Sequence, residues 1–169
     1  MNTLMQATLT NLEWREPVAQ EPRYELHFED EVLATLVFEP LCRTLATAKT
    51  REGTWTFLQT GILSSTFYIR QEGSRLDLAE FHPAFLGRGL LRFSKDESYS
   101  WRREPHHGGW SFYAADGERL VTLCVEPPPP KEPWPHREQA EVRLGPAGLP
   151  HPRVSLLMAF GWYLLLQRQ

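Results

Sequence analysis

Cysteine is scarce in this chain of 169 residues, which has only Cys42 and Cys124. Two cysteines exclude the disulfide-dense scaffold of a small secreted domain, and they show no paired spacing that would mark a zinc site. Each lies in an apolar run, Pro40-Leu41-Cys42 and Val121 to Val125, so both are expected as buried free thiols. The N-terminus lacks the positive region and continuous apolar stretch of a signal peptide, which makes the cytoplasm the expected compartment. Neither charge sign dominates: 18 basic against 21 acidic residues give a net charge of -3. That balance argues against broad nucleic-acid binding and leaves room for a local basic patch.

Motifs for chemistry are missing as well. There is no HExxH and no calcium loop, and the adjacent pair His106-His107 would point to opposite faces of an extended chain. Ser64, Ser65 and Cys42 have no neighbour that marks an activated nucleophile, and Gly87-Arg88-Gly89 lacks the Gly-Lys-Ser/Thr ending and following helix of a phosphate loop. No catalytic residue, metal ligand or cofactor is assigned. A hydrolase ranks third among the readings, because catalytic triads are assembled in space and not along the sequence.

The C-terminus has no polar face. From Leu156 to Leu166 every residue is apolar or aromatic, whereas a surface helix carries a polar stripe. The run is shorter than the roughly 20 residues needed to cross a bilayer, and stretches of about 10–14 are more often core helices. The sequence therefore predicts a buried helix over Arg153–Arg168 and no transmembrane span, with a tail anchor as the alternative. Gly161 in its middle suggests close approach of another backbone.

The body of the chain reads as short strands reversed by turn residues. Glu29-Asp30-Glu31, Arg51-Glu52-Gly53, Gln71 to Ser74, Lys95-Asp96-Glu97 and Ala115-Asp116-Gly117 each separate two aromatic or β-branched runs. The hairpins starting at Tyr24, Tyr68 and Phe112 are 44 residues apart and alike in pattern, which suggests quasi-repeats of four strands. Three units give about twelve strands, with residues 8–14 and 139–145 as the outermost pair. A sheet that long removes its edges by closing, and a barrel of that size has room for one helix. The expectation is an all-β fold with one helix: a closed barrel of about twelve mostly antiparallel strands enclosing the hydrophobic C-terminal helix. It forms one domain over 1–169.

Tyr24-Glu25-Leu26 with Val32 to Leu36, Leu45 to Ala48 with Trp55-Thr56-Phe57, Leu78 to Phe81, and Phe160 to Leu165 together resemble the tubby C-terminal-like superfamily. The likeness is to its bacterial members grouped with the LURP-one-related proteins and the phospholipid scramblases. It covers nearly the whole chain, through short and mostly structural motifs. The resemblance implies a twelve-stranded barrel around a hydrophobic helix and a role at anionic phospholipid or phosphoinositide headgroups. No calcium-binding or cysteine-rich segment of the scramblase kind is present.

Arginine suits bidentate phosphate recognition. Arg88, Arg92, Arg102 and Arg103 lie on or beside one expected hairpin, and Arg88, Arg102 and Arg70 are the candidate headgroup ligands near a barrel rim. Of the neighbours Arg102 and Arg103, at most one faces outward. Nine of the 14 prolines fall between Pro127 and Pro152. The segment 126–138 reads as an insertion spanning two elements, with a polyproline recognition surface as the alternative. The function expected is a non-enzymatic barrel acting peripherally at an anionic membrane surface. The rival is a scaffold or protein-interaction module without lipid binding.

Overall fold

The computed structural model describes residues 11–106, 108–125 and 138–168. Among the described residues, twelve antiparallel strands close on themselves in sequence order around one helix. They are β1 (Leu12–Arg15), β2 (Arg23–Phe28), β3 (Glu31–Glu39), β4 (Cys42–Thr50), β5 (Gly53–Thr60) and β6 (Thr66–Gln71). Then follow β7 (Asp77–Pro83), β8 (Gly89–Ser94), β9 (Glu97–Arg103), β10 (Trp110–Ala114), β11 (Arg119–Val125) and β12 (Gln139–Leu144). Pairing of β1 with β12, Leu12 opposite Val142 and Trp14 opposite Ala140, removes the last free edge. The expected outermost strands are the ones that close the barrel, although residues 8–10 lie outside the described segments.

Alternation sorts the side chains. Phe67 and Ile69 of β6 are buried while Thr66, Tyr68 and Arg70 are not, as a strand with one face on a core requires. Outward positions such as Glu13, Arg15, Glu80, Arg92, Glu141 and Arg143 give the wall a charged exterior. The 44-residue period corresponds to four strands, since Tyr24, Tyr68 and Phe112 fall on β2, β6 and β10. The aromatic positions are not equivalent, however. Tyr24 packs on Trp162 and Phe112 is fully buried, whereas Tyr68 faces out and Phe67 takes the inward place. A one-residue offset is enough to reverse the face.

The helix α1 (Val154–Leu166) fills the interior, with every residue from Val154 to Leu165 buried. It is a core helix and not an anchor. Its 13 residues span about 20 Å, shorter at both ends than the expected 153–168. Trp162 stacks on Trp14 with centroids 6.4 Å apart, and Phe160 meets Phe57 at 5.2 Å and Phe81 at 5.7 Å. The Tyr163 hydroxyl donates to the Thr44 carbonyl at 2.6 Å and is satisfied, whereas the buried indole N–H groups of Trp14 and Trp162 have no hydrogen-bond partner among the described residues. Gly161 does serve close approach, but to side chains and not to backbone. A Cβ there would lie 2.9 Å from Leu123 Cδ1 and 3.3 Å from the Trp101 ring.

The cysteine expectation fails in part. Both thiols are free, but Cys42 is exposed and Cys124 only half-buried. Cys42 opens β4 at the barrel's rim, and its neighbour Leu41 is fully exposed. A short apolar run at a strand end need not be core. Of the proline-rich insertion expected at 126–138, residues 126–137 lie outside the described residues.

Candidate functional site

Because the strands alternate in direction, the connections fall on two rims. The turns after β2, β4, β6, β8 and β10 share one rim with the connection from β12 into the helix. This is the turn rim. The connections after β1, β3, β5, β7, β9 and β11 share the other, the loop rim, and the helix ends there.

At the loop rim, beside the end of α1, a cleft of about 770 Å³ opens between β5–β10 and the helix. Its floor is apolar and aromatic, made by Phe67, Phe81, Trp101, Trp110 and Leu164. Its polar contributors include three arginines, Arg88, Arg103 and Arg168, and its lining contains no carboxylate. Among the described residues no carboxylate comes within ion-pairing distance of these three. Elsewhere some arginines are matched, Arg15 with Glu13, Arg23 with Glu25, Arg143 with Glu141 and Arg153 with Glu97, and what distinguishes the three in the cleft is their convergence on one aromatic-floored opening.

The fold positions each of the three. Arg88 ends the β7–β8 connection, where Ala84 N–H donates to the Arg88 carbonyl at 2.7 Å. Arg103 is the last residue of β9 and shares the inward parity of buried Trp101. Arg168 follows the helix and is held twice. Its Nη2 donates to the Gly87 carbonyl at 2.7 Å, and its guanidinium lies 3.6 Å from the centroid of the Trp110 ring, a cation–π contact. Trp110 is in turn stacked on Trp101 at 5.7 Å. Gly87 is required here: its φ is +74°, and a Cβ would sit 2.0 Å from Arg168 Nη2. Burial, and then the neighbouring Arg103 charge, lower the proton affinity of Arg168 from the ordinary arginine value. An arginine destabilised by a second cation is one that an incoming anion would relieve. The helix end points its partial negative charge, about half a unit, at the same rim. Three guanidiniums outweigh it.

The sequence-based candidates separate. Arg88 lines the cleft. Arg102 lies on the outer face of β9, its guanidinium 3.9 Å from the Tyr113 ring centroid, while Arg103 takes the rim position inside. Arg70 is near the turn rim, donating through Nε to Asp77 at 2.6 Å, so the structure does not bring it to Arg88. Arg103 was legible from strand parity with Trp101. Arg168 and Trp110 became site residues only when the helix direction was known. Among the described residues no group of three or more His, Cys, Asp or Glu is placed to hold a metal ion, and no helix is long and apolar enough to cross a membrane.

Comparisons with family models, with curated proteins and with solved structures find no match to this chain. The closed twelve-stranded barrel around one C-terminal helix is consistent with the general tubby-like architecture.

Proposed function

We propose that this chain is a tubby-like, non-enzymatic barrel that binds the phosphate of an anionic lipid headgroup, acting peripherally at the cytoplasmic face of a membrane. One observation carries the reading. Arg88, Arg103 and Arg168 surround an aromatic-floored cleft without a compensating carboxylate. Guanidinium groups recognise phosphate oxygens in pairs, and an apolar aromatic floor strengthens each charge–charge contact above it. The volume suits a headgroup-sized ligand. The cytoplasmic leaflet is where anionic lipids concentrate. Arg102 and Arg70 stand outside the proposed contact set.

Co-sedimentation tests this, using neutral vesicles and vesicles containing phosphoinositide, at low and moderate salt. Selective pelleting on the anionic vesicles, weakening as salt rises, is expected. Basic residues near an anionic surface contribute about 1 kcal/mol each, so the double variant Arg103→Ala/Arg168→Ala should bind on the order of thirtyfold more weakly. A soluble inositol phosphate, titrated in parallel, separates capture of a free phosphate from capture of a lipid. Unchanged pelleting by the double variant removes the site. Absence of binding to any vesicle moves the reading to the scaffold or protein-interaction module.

A further inference from the structure

Soluble proteins expose single apolar side chains without consequence, but a cluster of them at one end requires an account. Leu41, Ile62 and Leu63 are fully exposed, Phe85 is 84% exposed and Leu86 72%. They come from three different connections, those after β3, β5 and β7, which are consecutive around the loop rim. The cleft with its three arginines adjoins the second and third of these loops. No acidic residue occurs in 40–41, 61–65 or 84–88, and Glu39, the last residue of β3, flanks the first. The other described loop-rim connections carry Glu16, Glu21 and Glu104, and the turn rim is more acidic still, although it also carries Arg51, Arg75 and Lys95. Glu29-Asp30-Glu31, Asp96-Glu97 and Asp116 with Glu118 sit in its turns, and Leu76 is its one comparably exposed large apolar side chain among the described residues.

The third loop is also strained. Leu86 has φ +58° and ψ +31° inside the short turn Phe85–Gly87, a left-handed conformation that leucine rarely adopts. A strained, exposed leucine beside a functional cleft is a feature that the fold alone does not explain.

We propose that the loop rim is a bilayer-insertion face. Leu41, Ile62-Leu63 and Phe85-Leu86 enter the headgroup–acyl boundary of an anionic membrane while Arg88, Arg103 and Arg168 stay at phosphate level. The barrel stands end-on, with the acidic turn rim pointing away. The charged barrel wall limits this to shallow insertion. The proposal rests on the headgroup reading above for its choice of an anionic surface, and adds depth and orientation to it.

An environment-sensitive nitrobenzoxadiazole label tests it in the full chain, on a Cys42→Ser/Cys124→Ala background with native-like circular dichroism. The label is placed by Leu63→Cys at the loop rim, by Phe85→Cys as a second loop-rim position, and by Leu76→Cys at the turn rim as the control. On phosphoinositide vesicles the two loop-rim labels should brighten several-fold, shift to the blue and be quenched by brominated acyl chains, while the label at 76 stays unchanged. Vesicle binding with no change at 63 or 85 overturns insertion and leaves headgroup binding intact. Insertion at 63 and 85 that is equal on neutral vesicles, and untouched by Arg103→Ala/Arg168→Ala, keeps the insertion face and overturns the headgroup reading. No association with any vesicle overturns both, and the apolar loops then belong to a protein contact.

Discussion

The two rims of this barrel share one core and differ in almost everything else. On the turn rim most reversals are tight, Glu29-Asp30, Arg51-Glu52 and Lys95-Asp96 among them, and built from residues whose local chemistry favours a turn. Their charged side chains keep that end solvated. On the loop rim the connections 16–22, 61–65, 84–88 and 104–109 are longer. Two of them, 61–65 and 84–88, carry leucine, isoleucine and phenylalanine that the fold leaves in water, next to arginines with no carboxylate partner among the described residues. Where a chain only has to reverse, its residues are explained by the reversal. Where they are not so explained, they point to something outside the molecule.

The largest effect expected is one that both rims share. Phe160→Ala removes the ring that contacts Phe57, Phe81 and Phe112 and should destabilise the protein by about 3–5 kcal/mol in chemical denaturation. A rim that kept its structure after this change would show that the helix is not the common core. Next in size is a contrast between apolar residues at the two ends. Ile62→Ser/Leu63→Ser should weaken binding to anionic vesicles by about tenfold or more, since even partial burial of two such side chains contributes about 1.5 kcal/mol. Leu76→Ser, at the turn rim, should leave binding unchanged, and equal effects would erase the distinction.

A smaller effect should separate stability from function. Leu86→Gly relieves the left-handed strain at a position 72% exposed, and a stabilisation of about 0.5–1 kcal/mol is expected after the entropy of glycine is counted. Vesicle binding should fall in the same variant. A stabilised protein with undiminished binding would mean the strain has no use at the membrane.

The smallest effect belongs to the turn rim. His151 Nδ1 accepts the Arg153 N–H at 3.1 Å at the helix entrance, and burial lowers the proton affinity of this imidazole. Its pKa is thus lower folded than unfolded. Its contribution is complete above the unfolded value near 6.5 and is lost as pH falls through the folded value. Thermal unfolding should show a modest fall between pH 7 and 5 that His151→Asn flattens. Glu97, held below the ordinary carboxylate range chiefly by its hydrogen bond from Arg153, keeps its contribution until more acidic pH.

Much of the architecture could be read from the sequence because turn chemistry and side-chain alternation are local. The acidic and glycine-bearing turns fixed five hairpins, and the unbroken apolar run from Leu156 identified the filler of the barrel. The candidate site was less legible, for a geometric reason. Arg70 and Arg88 look alike in sequence, yet one lies just before the even-to-odd β6–β7 turn and the other in the odd-to-even β7–β8 connection, so they belong to opposite ends. Counting strands separates them, and the same count sends Arg168 to the rim of Arg88. The exposure of Leu41 and Ile62-Leu63 was not readable, since a short apolar run looks the same whether it is buried or held in water.

Hydrogen–deuterium exchange of the full chain, free and on phosphoinositide vesicles, tests most directly whether the rims have different roles. Slower exchange is expected in loops 40–41, 61–65 and 84–88, with turns 29–30, 51–52 and 95–96 unchanged. Protection of the acidic turns, or of neither rim while the protein is bound, would contradict it.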